Sequence, residues 1–127
     1  MIRVALADDH PVVRLALRLL LRLSDGIDVV CETSNGEEAL DCVIRLQPDL
    51  LVIDIQMPVL DGLAATKKIV DLSLPTRVLI ISLNRGSFIA KQAAAAGAKG
   101  FLSKEDLPSS LLPAIEAVHR GELFFKE

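Results

Sequence analysis

Four short apolar runs in this 127-residue chain each end on a polar side chain with chemical capability. Ile2-Arg3-Val4-Ala5-Leu6-Ala7 runs into Asp8 and Asp9, and Leu50-Leu51-Val52-Ile53 into Asp54. Val78-Leu79-Ile80-Ile81 runs into Ser82, and Phe101-Leu102-Ser103 into Lys104. Runs this short and apolar suit strands buried on both faces. In an open parallel sheet, ligands gather outside the carboxyl ends of the strands. The pattern therefore aims three carboxylates, a hydroxyl and an ammonium at one small site. Such a set suits a hard divalent cation and a phosphoryl group.

The segments between these runs read as helices. Residues 12–23 carry Val12, Val13, Leu15, Ala16, Leu19, Leu20 and Leu23 at three-to-four spacing, with Arg14, Arg18 and Arg22 as the outer stripe. Asn35 and Glu38 stand in capping-box relation at the start of a second helix, which Pro48 ends. Further helices are expected over 63–70, 87–96 and 109–120, the fourth capped by Gly97. In the last, Ser110 as N-cap would make Pro113 the third helical residue, where its missing N–H costs nothing. Strands are expected over 2–7, 27–33, 49–53, 77–81 and 98–102. Five strands alternating with five helices imply parallel crossovers and a three-layer α/β sandwich.

Bulk properties narrow the function. The length suits one domain, and 51% hydrophobic residues provide an aliphatic core without Trp or Tyr. A net charge of −3 argues against strong nucleic-acid binding by this segment. Charged Arg3, Asp8 and Asp9 break the first apolar stretch, so no signal peptide is read there, and no run reaches the roughly 18 apolar residues of a membrane span. Cys31 and Cys42 form no CxxC pair and read as reduced, buried thiols of a cytoplasmic protein.

The stretches Ala7-Asp8-Asp9-His10-Pro11, Asp54-Ile55-Gln56-Met57-Pro58-Val59-Leu60-Asp61-Gly62, Ile81-Ser82 and Gly97-Ala98-Lys99-Gly100-Phe101-Leu102-Ser103-Lys104 together resemble the receiver domain of bacterial two-component response regulators, in the LuxR/NarL flavour. The resemblance spans nearly the whole chain. It implies a doubly wound five-stranded parallel sheet, flavodoxin-like, in the order 2-1-3-4-5. Residues 1–121 would be the receiver and 122–127 the start of a C-terminal linker. The function implied is a signalling switch, not an enzyme with an external substrate, that takes a phosphoryl group from a sensor histidine kinase onto Asp54 and later removes it. Mg²⁺ would be held by Asp9, Asp54 and the Gln56 backbone carbonyl, with Asp8 acting through water. Lys104 would pair with Asp54 at rest and with a phosphoryl oxygen afterwards, and Ser82 would donate to another. Ser82 and Phe101 would form the switch, the ring turning inward as the hydroxyl moves. The implied output is a homodimer on phosphorylation, through 86–120 or the first and last helices, and DNA binding through a C-terminal domain outside this chain.

Three other readings stand beside this one. A pseudo-receiver would keep the fold as an interaction module without phosphorylation. A flavodoxin-like ligand binder would need a phosphate-cradling loop, and the acidic Asp8-Asp9 start disfavours one. Taken singly, Ser82 is a strand-end hydroxyl bonded to backbone, Lys104 a solvated lysine, and His10 and His119 structural groups. Two departures from the family pattern are Leu83, where a small residue is common, and Glu105 after the lysine in place of Pro.

Overall fold

The computed structural model describes residues 1–127. The apolar runs form parallel strands, and a helix follows each of the first five: β1 (Ile2–Ala7), α1 (Pro11–Leu21), β2 (Ile27–Thr33), α2 (Gly36–Leu46), β3 (Leu50–Asp54), α3 (Gly62–Asp71), β4 (Arg77–Ser82), α4 (Ser87–Ala96), β5 (Gly100–Ser103) and α5 (Leu107–His119). A two-residue strand, β6 (Phe124–Phe125), follows. The order across the sheet is β2-β1-β3-β4-β5-β6, and all pairings are parallel. The doubly wound order 2-1-3-4-5 is thus present, with one short strand added beside β5. That strand lies in the stretch read from sequence as the start of a linker. Phe124 N–H donates to the Lys99 carbonyl at 3.0 Å and Lys126 N–H to the Phe101 carbonyl at 2.9 Å.

Alternation along the strands builds a core on each face of the sheet. Leu51 and Ile53 of β3 point to a cluster with Ala39, Cys42 and Val43 of α2, Ala65 and Ile69 of α3, and Ala90 and Ala93 of α4. Leu50 and Val52 point the other way, to Leu17 and Leu21 of α1 and Leu111, Ala114, Ile115 and Val118 of α5. Every residue of β3 is buried, as a strand covered on both faces requires. No helix is long and apolar enough to cross a membrane.

Local signals set the helix starts. Asn35 Oδ1 accepts the Glu38 N–H at 2.8 Å, but the Glu38 carboxylate reaches back to the Ser34 N–H at 3.4 Å, so the box closes one residue earlier than a capping box would. Asp61 Oδ1 caps α3 by accepting the Ala64 N–H at 2.8 Å. Gly62 then passes so close to β3 that an added Cβ would lie 2.2 Å from the Asp54 carbonyl oxygen. This close approach holds the α3 start against the end of β3.

Two helices differ from the sequence reading. In α1 the buried residues are Leu17 and Leu21, while Val12, Leu15 and Leu19 are exposed, as is Leu23 just beyond its end. Arg14 and Arg18 are only partly exposed along its flanks, Arg14 donating to the Asp8 carbonyl and Arg18 pairing with Glu32 at 3.0 Å, while Arg22 stays exposed. A helix so rich in leucine has more than one apolar face, and these polar anchors choose among them. α5 begins at Leu107, not 109, so Pro113 is an exposed residue of the helix interior and Ser110 is buried within it. The earlier start follows from Leu107, which is buried against the α1 side of the core, and from Pro108, which suits the first turn. Pro113 therefore removes one interior hydrogen bond.

Strand β2 carries an irregularity. Val4 pairs with Val29 but Ala5 with Cys31, so Val30 is an extra residue. Ile27 and Val29 pack on the α1 side, whereas Cys31 packs on the α2 side.

Candidate functional site

The carboxyl ends of β1, β3, β4 and β5 meet at one rim of the sheet. Asp8 and Asp9 leave β1, Asp54 ends β3, Ser82 ends β4, and Lys104 begins a single 3₁₀ turn after β5. The register places Asp54 opposite Ile81 and Ser82 opposite Ser103. Ligand atoms of Asp8, Asp9, His10 and Asp54 all lie within 4.8 Å of one another. The sequence thus located the carboxylates and the lysine correctly as neighbours.

Burial makes this cluster costly. The Asp8 side chain is fully buried, those of Asp54 and Lys104 are nearly so, and Asp9 lies at the surface. Lys104 Nζ lies 2.8 Å from Asp8 Oδ2 and 3.3 Å from Asp54 Oδ2. One ammonium is therefore shared between two carboxylates, and it sits closer to Asp8 than to Asp54. The Asp8 contact is an ion pair without hydrogen-bond direction, because neither Asp8 Oδ2 nor Lys104 Nζ completes a hydrogen bond. Burial raises the Asp54 carboxyl above the ordinary carboxylate range, and the Asp8 charge raises it further. Lys104 and the Gln56 backbone N–H pull the other way without cancelling the rise.

A cation fits this donor set. Hard divalent ions take oxygen ligands, three carboxylates converge here, and Asp8 Oδ2 is a buried acceptor with unused capacity. His10 is part of the cluster. Its backbone N–H donates to Asp8 Oδ1 at 2.8 Å, and its Nδ1 lies 3.0 Å from Asp8 Oδ1 and 3.2 Å from Asp9 Oδ1. The sequence put His10 beside the site as a structural or surface group able to tune it, but anticipated neither its contacts with both aspartates nor the tie from Arg14 to the Asp8 carbonyl. No residue spacing announces either contact.

Ser82 and Phe101 occupy distinct surroundings. The Ser82 Oγ accepts the Asn84 N–H at 3.0 Å, which leaves the hydroxyl proton free to donate. Phe101 is fully buried in the core on the α4 side, facing Ile80 and Phe125 across the sheet. Leu83 is 65% exposed and lines a hollow of about 270 Å³ at the mouth of the site with Pro11, Val12, Val13, His10 and Lys104.

An acidic rim with a shared lysine at the end of this parallel sheet is the arrangement of a receiver. Residues 4–116 match the family of response regulator receiver domains, and the chain belongs to that family. It is similar to the nitrate/nitrite response regulator protein NarL of Escherichia coli, 34% identical over 98% of this chain and 57% of that protein. It is also similar to the transcriptional regulatory protein LnrK of Bacillus subtilis, 36% identical over 95% of this chain and 55% of that one. A two-component response regulator of the LuxR family from Aurantimonas shares the fold with a TM-score of 0.91, at 36% identity over 96% of this chain and 87% of that one. The receiver is thus of the LuxR/NarL type. The chain spans less than two thirds of the length of the curated relatives it matches.

Proposed function

We propose that this receiver is a phosphorylation-activated switch in which Asp54 accepts a phosphoryl group from a sensor histidine kinase. One observation carries this reading: Asp54 is a buried strand-end carboxylate, held beside both Lys104 and the Asp8–Asp9 pair. In the transfer, an Asp54 carboxylate oxygen forms the bond to phosphorus. The bond from phosphorus to the donor imidazole breaks, and its electron pair stays with the imidazole nitrogen.

Each neighbour has a task. Asp9, Asp54 and the Gln56 carbonyl would hold Mg²⁺, with Asp8 acting through water. The ion supplies positive charge that offsets the incoming phosphoryl oxygens. Lys104 turns from the carboxylates to a phosphoryl oxygen, a short move because its ammonium already stands 3.3 Å from Asp54. Ser82 donates its free hydroxyl proton to another phosphoryl oxygen without giving up the Asn84 N–H. Repacking around Ser82 and Phe101 then passes the change to the surface of α4 and α5 as a population shift. The same group of residues later lets water remove the phosphoryl group. On this reading the chain is the cytoplasmic N-terminal part of a transcriptional regulator, residues 1–121 are the phosphoacceptor domain, and 122–127 lead out of it by way of β6. Dimerisation on phosphorylation and DNA binding by a following domain complete the proposal.

Intact-mass measurement after incubation with acetyl phosphate and Mg²⁺ tests it. The expected result is one phosphoryl adduct, absent in Asp54→Asn and without Mg²⁺. Should small donors fail at the Leu83 collar, beryllofluoride with Mg²⁺ is the second arm, read by NMR. No adduct and no shifts around Asp54 would replace the switch with a phosphorylation-independent interaction module.

A further inference from the structure

The two cysteines lie eleven positions apart in sequence, with no motif between them. The fold nonetheless brings them together. Residues alternate faces along a regular strand, so Cys31 should share the α1 side with Ile27 and Val29. The extra residue Val30 breaks that alternation and turns Cys31 to the α2 side. Cys42, fully buried on α2, packs in the cluster that Cys31 joins. Both are free thiols, and Cys31 packs against the cluster that holds Cys42.

We propose that Cys31 and Cys42 form a reversible dithiol–disulfide site, oxidised by a small peroxide and reduced by thiols. Cys31 is half-buried and reachable, whereas Cys42 is sealed from solvent. Burial pushes the Cys42 thiol up to about 12, and the Cys31 thiol beside it adds to the rise. Cys31 is therefore the attacking group. Its thiolate sulfur forms a bond to one peroxide oxygen as the O–O bond breaks. The product is a sulfenic acid, and the other oxygen leaves as water. Cys42 sulfur then bonds to Cys31 sulfur as the S–O bond breaks, and the hydroxyl departs as water with the Cys42 proton. Two thiols and one peroxide give one disulfide and two waters. Confinement of Cys42 beside the sulfenic acid offsets the weak nucleophilicity of a largely protonated thiol.

The test uses the folded chain treated with a modest excess of hydrogen peroxide, then mass spectrometry under non-reducing conditions. The expected result is the loss of two hydrogens, a peptide linking Cys31 to Cys42, and return to the starting mass with dithiothreitol. Far-UV circular dichroism should be unchanged by oxidation. Cys31→Ser should abolish any change, and Cys42→Ala should leave Cys31 to gain oxygen without forming the link. Cys42→Ala is the informative variant because a buried alanine preserves packing better than a serine would. Oxidation of wild-type Cys31 to the sulfinic acid with Cys42 untouched would overturn the proposal, as would a disulfide formed only between molecules.

Discussion

At the scale of single residues, Lys104 is the side chain on which the resting site depends. It is nearly buried and faces two carboxylates at 2.8 and 3.3 Å. Lys104→Ala leaves both anions uncompensated and should lower stability by about 3–5 kcal/mol in magnesium-free urea unfolding. Millimolar Mg²⁺ should restore part of that loss, because a cation substitutes for the ammonium. Asp54→Asn acts in the opposite direction. It removes one of two repelling charges yet leaves Asp8 paired with Lys104, so the variant should gain about 1 kcal/mol and melt roughly 3 °C higher without Mg²⁺. Calorimetry of both proteins checks this, and a destabilised Asp54→Asn would show that the Asp54 charge is well satisfied. The positions of these charges were legible in the sequence, because a strand end in a parallel sheet has only one place to go. Their directions were not. The choice of Lys104 for Asp8, the turn of Ser82 toward Asn84 and the gathering of His10 between two aspartates depend on contacts between distant segments.

At the scale of elements, α1 and α5 show where periodicity stops being informative. In α1 nearly every position other than the arginines is apolar, so several rotations of the helix satisfy a three-to-four spacing. The decision falls to Arg14, bonded to the Asp8 carbonyl, and Arg18, paired with Glu32. A pair of substitutions tests that rotation. Leu17→Ala removes a fully buried side chain and should cost about 2–5 kcal/mol, whereas Leu19→Lys, at a half-exposed position, should change stability by less than about 0.5 kcal/mol. Reversed magnitudes in urea titrations would return Leu19 to the core. In α5 the sequence reading let Pro113 set the helix start. The structure lets Leu107 set it, because burying that leucine outweighs the interior hydrogen bond that an exposed proline removes. α2, by contrast, was read closely, since the Asn35 cap is a local signal that needs no tertiary contact.

At the scale of the whole molecule, β6 joins the two cores. Phe125 packs against the cluster on the α2, α3 and α4 side, and Phe124 against the one on the α1 and α5 side. Removing residues 122–127 should therefore cost about 2–3 kcal/mol from lost burial of two half-buried rings, measured by urea unfolding. No change would mean that the strand only rests on the sheet. Its brevity was also why the sequence concealed it: two phenylalanines carry no alternation. A parallel sheet left open on both sides offers unpaired backbone groups as a template for another chain. Here β2 presents the exposed charges of Asp28 and Glu32 at one side. At the other, β6 is two residues long and followed at once by Lys126 and Glu127. Neither side offers a long, flat, uncharged run for strand addition, so the protein should resist edge-to-edge aggregation at high concentration.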